Sequence, residues 1–222
     1  MANISLSVIL PAHNEEENIA NTVSECLSYL GAGFPKYEVI VVNDGSRDRT
    51  REIVEELSSK NPAVVLVNHE VNKGYGSAVK SGFNKASLDY TFFMDSDGQF
   101  DITDLGRLIP FTGGNNVVIG YRENRADSLI RSLNAWMYGL YIRLVFGLSV
   151  KDMDCAFKVF PTEAYHKVRP IKAGGALFSA EFLIKLKRAG YVFKEVPVRH
   201  FPRKFGTQSG ANLKVILRMF RE

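Results

Sequence analysis

Cysteine is scarce in this sequence, with only Cys26 and Cys155 among the 222 residues. The two lie far apart along the chain, and neither belongs to a spacing of cysteines and histidines that is typical of zinc ligands. A disulfide-stapled fold and a zinc-cluster protein are therefore excluded as classes. We expect both thiols to be reduced, as in a cytosolic protein.

Long apolar runs are also missing. No uninterrupted apolar stretch reaches the roughly 18 residues that a membrane-spanning helix needs, so we predict no transmembrane helix in this chain. The N-terminus lacks a basic segment and Pro11 ends the first apolar run early, so we expect no signal peptide. Because 45% of the residues are hydrophobic and no repeat is visible, the composition predicts one globular domain, or one domain with a small appendage.

Three familiar motifs are absent as well. Gly74 and Gly76 follow a strand-like run, but no third glycine completes a dinucleotide-binding fingerprint. Val79 precedes Lys80 at the position where a phosphate-binding P-loop requires glycine. No Gly-x-Ser-x-Gly nucleophile elbow occurs either. If the protein binds a nucleotide, it does so by another arrangement.

Charge is distributed unevenly along the chain, although the net charge is only +4. Residues 1–110 carry 9 Lys or Arg and 16 Asp or Glu, a balance of −7, whereas residues 111–222 carry 19 and 8, a balance of +11. This asymmetry favours an acidic half that holds a cation and a basic half that faces an anion. At this point the anion can be a phosphate, a membrane surface or a nucleic acid.

The first half alternates strand-like apolar runs with amphipathic helical segments. Apolar and β-branched residues predict strands over 6–10, 38–42, 64–67 and 90–94. Helical periodicity predicts helices between them, the first of which is capped at its N-terminus by Asn14. This order predicts an α/β fold with a mostly parallel sheet and helices on both faces.

Polar clusters follow three of these strands: His13-Asn14-Glu15, Asn43-Asp44-Gly45 and Asp95-Ser96-Asp97. Ligands of parallel sheets bind beyond the carboxyl ends of the strands, so the clusters predict one shared nucleotide site. In such a site the Asp44 carboxylate would hydrogen-bond a ribose or a base edge. The alternative is that each cluster only makes a turn or caps a helix.

Asp95, Asp97 and Gln99 form a candidate metal site. If the extended path of the preceding strand continued, all three side chains would lie on one side of the chain. Their oxygens suit Mg²⁺ or Mn²⁺, which would keep coordination positions for water and for phosphate oxygens of a nucleotide. A solvated polar turn is the alternative that such a short motif leaves open.

The second half carries most of the arginines. Its pattern predicts a strand over 117–120, a helix over 177–189 and a late strand over 192–201. Residues 128–148 are apolar and aromatic but interrupted by arginines, which is typical of an interfacial amphipathic helix and equally of a helix packed on the domain. Residues 213–221 predict a basic amphipathic helix near the C-terminus.

Four motifs in the first half occur together in one known family: Pro11–Glu16, Val42–Ser46, Asn72–Gly74 and Asp95–Gln99. The second half adds Gly120–Arg122, Arg125–Asp127, Arg131, Val196–Val198, Arg203, Gly206 and Ser209. Together they resemble glycosyltransferase family 2, and within it the dolichyl- or polyprenyl-phosphate sugar synthases. One departure is Gly210, where the synthases usually have a lysine, and it concerns the phosphate contacts of that loop.

The resemblance implies a single GT-A domain over 1–222, which is a Rossmann-like sheet followed by C-terminal amphipathic helices. Residues 1–120 would form the nucleotide-sugar and metal half, and residues 121–222 the acceptor half with interfacial helices. It implies Mg²⁺ or Mn²⁺ on Asp95, Asp97 and Gln99. The implied nucleotide-binding residues are Pro11, Ala12, His13, Glu15, Asp44, Lys73 and Asp95. The implied catalytic residues are Asp97, Arg122, Arg131 and Arg203, and the implied acceptor-phosphate residues are Arg122, Arg131 and Ser132.

The reaction that the resemblance implies is inverting transfer of a sugar from a UDP- or GDP-hexose to a polyprenyl or dolichyl phosphate. A phosphate monoester with a second pKa of about 6 is already a dianion at neutral pH, so it needs no general base. We therefore expect a peripheral enzyme on the cytoplasmic face of a membrane, with no nucleic-acid partner; homo-oligomerisation stays open. One alternative is a family 2 transferase with a sugar-hydroxyl acceptor and a base among Asp152, Asp154 and Glu181. The other is a non-catalytic nucleotide-binding module.

Overall fold

A computed structural model describes residues 4–123, 139–140, 142–175 and 177–206. Within these residues, seven strands form one sheet in the order β3-β2-β1-β4-β6-β5-β7. The strands are β1 (Ser5–Ala12), β2 (Lys36–Asp44), β3 (Val64–His69), β4 (Tyr90–Met94), β5 (Asn116–Arg122), β6 (Phe157–Pro161) and β7 (Val192–Val198). The α-helices with defined bounds are α1 (Ile19–Gly33), α2 (Thr50–Lys60), α3 (Tyr75–Lys85), α4 (Leu105–Leu108), α5 (Thr162–Val168) and α6 (Phe178–Arg188), with short 3₁₀ turns at Ile102–Asp104 and Ile109–Phe111.

The sheet is mostly parallel, as the strand–helix order predicts. β1 pairs in parallel with β2 and β4, and β2 with β3, while β5 pairs in parallel with β7. β6 runs antiparallel to both of its neighbours, β4 and β5. Six strands therefore end at one edge of the described sheet, and β6 begins at that same edge, because Phe157 pairs with Met94.

The central strands are buried on both faces, which explains their continuous apolar sequences. Val8, Ile9 and Leu10 of β1 are all fully buried. On one face, Gly82 lets α3 lie directly against β1, since a Cβ there would stand 2.2 Å from Cγ2 of Ile9. This close contact fixes the position of α3, whose first residue, Tyr75, lies at the edge where the strands end.

The predicted start of the first helix is wrong. Asn14 does not cap it: its φ is 57°, in the left-handed region, and α1 begins only at Ile19 with Asn18 as its N-cap. The acidic residues that follow Asn14 therefore belong to the loop between β1 and α1. This difference matters for the site, because the loop places Glu15 in a buried position beyond the end of β1.

Two predicted helical segments fall largely or wholly outside the described residues. Residues 213–221 lie outside them, and of 128–148 the structure describes 139–140 and 142–148, of which 139–140 and 142–146 are helical. Ile142 is buried there, whereas Leu144 and Val145 are 76% and 54% exposed. Within the described part of the chain, every helix is too short or too polar to span a lipid bilayer.

Candidate nucleotide and metal site

A cleft of about 350 Å³ opens where β1, β2 and β3 end. The loops that follow these strands form its walls, which is where a ligand of a parallel sheet is expected. The lining residues are His13, Asn14, Gly45, Ser46, Arg47, Glu70, Val71 and Asn72. Of these, only His13 belongs to the predicted nucleotide-binding set. Glu70 and Val71 carry no motif, and only their position just after β3 could have marked them as candidates.

Hydrogen bonds between backbone amides and side-chain oxygens join the loop after β1 to the loop after β2 and shape this cleft. Asn14 accepts a hydrogen bond from the Arg47 amide on its side-chain oxygen at 2.8 Å and donates its own amide to Ser46 Oγ at 3.0 Å. Gly45 has a φ of 64°, and a Cβ on it would stand 2.4 Å from backbone atoms of Val71 and Asn72. The cleft therefore requires glycine at this position, for both the conformation and the space.

Asp44 is 3% exposed, and its carboxylate is occupied by protein donors. Oδ1 accepts from the Lys73 amide at 2.9 Å and from His69 Nδ1 at 2.7 Å, while Oδ2 accepts from the Gly74 amide at 2.9 Å. Because a carboxylate only accepts, Nδ1 of His69 carries the proton, and its Nε2 can accept from Ser81 Oγ at 2.8 Å. In this arrangement Asp44 holds the loop between β3 and α3 in place, and Lys73 contributes its backbone rather than its exposed side chain.

The candidate metal ligands follow β4 in a turn. β4 ends at Met94, Gly98 has a φ of 74°, and the Gln99 amide donates to Asp97 Oδ1 at 3.1 Å. The extended path that would have aligned all three side chains therefore does not persist. Gln99 is 9% exposed, and its Nε2 donates to the Phe201 carbonyl at 2.9 Å, which leaves its Oε1 as the acceptor.

The two carboxylates of this turn suit a divalent cation. Burial, and then the charge of Asp97, raises the pKa of Asp95 to about 7, while the Tyr75 hydroxyl hydrogen-bonds with the Asp95 carboxylate. A cation between the two acids would relieve this repulsion. In the described part of the chain, no three His, Cys, Asp or Glu side chains are grouped closely enough to hold a metal. Two carboxylates and the Gln99 amide oxygen would leave coordination positions for phosphate oxygens and water, and such an oxygen donor set suits Mg²⁺ or Mn²⁺.

Arg203 connects this turn to the loop after β1. Its Nη2 lies 2.6 Å from Glu15 Oε1 and its Nη1 lies 3.3 Å from Asp97 Oδ2. Glu15 is further held by Asn18, whose Nδ2 donates to Oε2 at 2.7 Å. The structure therefore brings together three predicted site residues that are distant in sequence, since Arg203 and Glu15 are 188 positions apart. Pro11 and Ala12 are buried at the end of β1 beside them, and the Pro11 carbonyl accepts from Ser96 Oγ at 2.7 Å.

Arg122 lies at the end of β5 and is paired with Asp152. Its Nε and Nη2 donate to the two carboxylate oxygens at 2.7 and 2.8 Å. Burial opposes the charge, but the bonds to Asp152 hold the pKa of Arg122 above its ordinary value. Two of its donor nitrogens are thus engaged within the protein. Arg131 and Ser132, the other predicted acceptor residues, lie outside the described residues.

Lys158 is a buried cation beneath the acidic turn, and none of the sequence motifs includes it. It is 1% exposed, its Nζ donates to the carbonyls of Met153 and Cys155, and burial lowers its pKa. Its positive charge opposes the rise in the pKa of Asp95. The sequence signal that could have identified Lys158 is its place inside the apolar run of β6, because a lysine is rarely buried without a partner.

The candidate general bases differ in their surroundings. Glu181 accepts from the amides of Lys172 and Ala173 at 3.0 and 2.7 Å and pairs with Lys185 at 2.8 Å. Burial favours the neutral acid, but these bonds outweigh it and lower the pKa of Glu181. Asp152 is paired with Arg122, whereas Asp154 is exposed. Glu181 therefore supports a loop, and Asp154 is the most accessible carboxylate of the three.

Comparison with known proteins identifies the family. The profile of Glycosyl transferase family 2 matches residues 7–169, which contain the cleft, the acidic turn and the Arg122–Asp152 pair. This chain belongs to that family. The match extends over most of the chain and over six of the seven described strands, and the resemblance drawn from the motifs is thereby confirmed.

Curated relatives cover most of the chain. An undecaprenyl-phosphate 4-deoxy-4-formamido-L-arabinose transferase of Pectobacterium atrosepticum is 30% identical over 97% of this chain and 65% of its own length. Dolichyl-phosphate beta-glucosyltransferases of Trichomonas vaginalis and Saccharomyces cerevisiae are 28% and 29% identical over 89% and 88% of this chain. The chain spans 66% of the length of each of these two glucosyltransferases.

Solved structures agree on the fold. A glucosyl-3-phosphoglycerate synthase from Mycobacterium tuberculosis, solved with Mn²⁺ and UDP-glucose, superposes with a TM-score of 0.72 at 22% identity. The alignment covers 99% of this chain and 76% of that protein. A second structure of that synthase, with Mg²⁺ and UDP, gives a TM-score of 0.67 at 20% identity. The α/β fold with a GT-A-like sheet is thereby confirmed.

Proposed function

We propose that this protein is a metal-dependent, inverting glycosyltransferase that moves a hexose from a UDP- or GDP-sugar to a polyprenyl or dolichyl phosphate. The observation that carries the proposal is the pair Asp95 and Asp97, which follows β4 at the same edge of the sheet as the cleft of about 350 Å³. Relatives that transfer sugars to dolichyl or undecaprenyl phosphate support the acceptor class.

On the donor side, the cleft residues and the loop fixed by Asp44 would bind the nucleoside. Asp95 and Asp97, with Gln99 Oε1, would hold Mg²⁺ or Mn²⁺ against the diphosphate. The metal, when bound, would neutralise the charge of the departing nucleoside diphosphate. The named structures that contain UDP with Mn²⁺ or Mg²⁺ support this donor type, and they leave the choice of ion open.

On the acceptor side, two of the three candidate general bases are already bonded to protein groups. This supports an acceptor that is ionised before it reacts. Asp152 is held by Arg122, and Glu181 is held by two backbone amides and a lysine. A phosphate dianion needs no proton removed, so neither residue is required as a base. The acceptor phosphate would be oriented by Arg131, by Ser132 and by the remaining guanidinium nitrogen of Arg122.

The membrane surface is the place where such an acceptor would be met. The helical residues 142–146 bury Ile142 but expose Leu144 and Val145, and the guanidinium of Arg188 lies 5.9 Å from the ring centre of Phe146. Exposed aliphatic side chains next to arginines suit the boundary between lipid headgroups and acyl chains. We therefore propose peripheral binding to the cytoplasmic face of a membrane.

A donor–acceptor screen tests the proposal. Purified protein with Mn²⁺ is incubated with radiolabelled UDP- and GDP-hexoses and polyprenyl phosphate, and the lipid phase is extracted and counted. We expect label in the lipid phase with one donor and none with Asp97→Ala. Label that appears only on added glycans, or no acceptor-dependent release of nucleoside diphosphate, would overturn the lipid-phosphate acceptor.

A second candidate function is transfer to a sugar hydroxyl. It is favoured by one observation: the exposed carboxylate of Asp154 in the segment that carries Asp152. That reaction requires a base, and Asp154→Asn would then abolish transfer while nucleotide binding persists. A non-catalytic nucleotide-binding module would instead bind the nucleotide and transfer to neither acceptor.

A further inference from the structure

The Arg203 guanidinium lies between two carboxylates of the candidate site. It contacts Glu15 at 2.6 Å and Asp97 at 3.3 Å, and its side chain is only 14% exposed. The side chains of Glu15 and Asp97 are 10% and 14% exposed. A positive group therefore already occupies the acidic site next to one of the proposed metal ligands.

Glu15 needs such a cation. It lies in the loop beyond β1, where its amide donates to Thr50 Oγ1 at 2.8 Å and Asn18 holds its second carboxylate oxygen. An ionised carboxylate with so little exposure is costly unless a charged partner is near. Without Arg203, Glu15 and Asp97 would add their negative charges to that of Asp95.

The loop that carries Arg203 is built around its guanidinium. Nε donates to the Phe205 carbonyl at 2.6 Å, and Gly206, with a φ of 78°, passes so close that a Cβ would lie 2.6 Å from Nη2. Two hydrogen bonds tie the same loop to the metal turn, since the Phe201 amide donates to the Gln99 carbonyl and Gln99 Nε2 donates to the Phe201 carbonyl. The position of Arg203 is thus determined by its loop as well as by its charge.

We propose that Arg203 is a resident counter-cation of Glu15 and Asp97 in the absence of the nucleotide. When the metal-bound nucleotide enters, the Arg203 guanidinium moves from Asp97 to the diphosphate. The inference rests on the proposed function and deepens it, because it assigns Arg203 a role before the nucleotide binds. The guanidinium fork matches a diphosphate as well as it matches carboxylates, so one side chain serves both states. Gly206 is a positioning residue for this exchange.

The exchange makes metal and nucleotide binding cooperative. A metal ion that arrives alone competes with Arg203 for Asp97, whereas a metal ion that arrives with the diphosphate offers Arg203 a new partner. The two ligands therefore help each other beyond the direct contact between metal and phosphate, and the coupling is reciprocal. Removing the guanidinium should strengthen the binding of metal alone and weaken the coupling.

Titration of Mn²⁺, with free Mn²⁺ measured by electron paramagnetic resonance, tests this with and without saturating UDP. Arg203→Gln should bind Mn²⁺ alone about tenfold more tightly than the wild type, and its coupling to UDP should fall by a similar factor. Lys204→Gln removes the same charge from the next, exposed position and should leave both quantities unchanged. Gly206→Ala keeps the charge but displaces the guanidinium, so it should resemble Arg203→Gln.

The outcomes are separable from those of the proposed function, because this titration involves no acceptor and no turnover. Tighter Mn²⁺ binding by both variants, with Lys204→Gln unchanged, supports the exchange even if no sugar is transferred to any acceptor. Mn²⁺ affinity of Arg203→Gln equal to that of the wild type overturns it, even if the enzyme is active. An equal gain in Lys204→Gln also overturns it, since the effect would then be general electrostatics.

Discussion

Arg122 and Asp152 form a two-point ion pair, with Nε to Oδ2 at 2.7 Å and Nη2 to Oδ1 at 2.8 Å. The pair joins the end of β5 to the segment that precedes β6. Their side chains are 14% and 8% exposed, so water screens the pair only weakly. Arg122 is therefore part of the fold as well as a candidate for contact with the acceptor.

The first prediction concerns stability. Arg122→Met should lower the free energy of unfolding by about 3 kcal/mol, because it removes the guanidinium that faces the buried Asp152 carboxylate. The double variant Arg122→Met with Asp152→Leu should lose less than the sum of the single losses, as measured by urea unfolding. Additive losses would mean that the two side chains do not interact in solution.

The second prediction separates the acceptor classes. Arg122→Ala and Arg131→Ala should each lower kcat/KM for polyprenyl phosphate by roughly 10- to 100-fold, with little change in donor affinity. Glu181→Gln and Asp154→Asn should have smaller effects, because the dianionic acceptor needs no base. If both arginine variants kept full efficiency and Asp154→Asn, still folded, lost several orders of magnitude, the hydroxyl acceptor would replace the lipid phosphate.

The third prediction concerns the metal. Asp97→Ala should abolish transfer and should weaken UDP or GDP binding mainly when Mn²⁺ is present, since the cation connects the carboxylate to the diphosphate. Calorimetric titration with and without EDTA distinguishes the two conditions. Asp101→Ala, which removes a nearby acid that caps a 3₁₀ turn, is the matched control. Full activity of the wild type in excess EDTA would contradict the assignment.

The fourth prediction concerns the membrane. The protein should bind vesicles that contain anionic lipid and release them at high salt, because the basic half of the chain is attracted to the surface. Leu144→Asp should weaken this binding, whereas Val71→Asp, at a similarly exposed aliphatic residue (65%) in the nucleotide cleft, should not. Equal partition to neutral and anionic vesicles at low salt would count against it.

The fifth prediction concerns the two thiols. Burial raises the pKa of Cys26 and of Cys155 to about 12, so at pH 8 only roughly one molecule in ten thousand carries a given thiolate. Neither thiol should react with a disulfide reagent at pH 8 in the folded protein, and both should react once urea unfolds it. At pH 10 the thiolate fraction is still only about one in a hundred, so labelling of the folded protein should remain far slower than labelling of the unfolded protein. Fast labelling of the folded protein would show that one of the thiols is accessible.

Much of the fold can be predicted from the sequence because its signals are local. The apolar runs of β1 to β4 and the helical periodicity between them mark the parallel half correctly. The antiparallel direction of β6 could not be predicted in this way, since Phe157–Pro161 reads as a buried strand in either direction. The predicted start of α1 is wrong because asparagine is a preferred residue at helix N-caps, whereas Asn14 has a left-handed backbone conformation in the loop before the helix.

The candidate site divides along the same line. Sequence motifs predict Asp95, Asp97 and His13 as site residues, because residues that follow parallel strands lie at the same edge of the sheet whatever side-chain contacts they make. The pairings of Arg203 with Glu15 and of Arg122 with Asp152 depend on contacts between segments that are distant in sequence, so no local pattern predicts them. The carboxylate of Asp44 matches a ligand motif, yet its protein partners become visible only in three dimensions.

The direction of β6 has a consequence for the family's diversification. β5 ends at Arg122 and β6 begins at Phe157, both at the edge that carries the cleft, so the chain between them leaves and re-enters the sheet at the same side. Because both ends of that interval lie at one edge, its length can change without changing the strand order, provided that Asp152 keeps its pairing with Arg122. Under the proposed function, such changes would alter the acceptor side while the strands that carry the proposed donor residues stay the same.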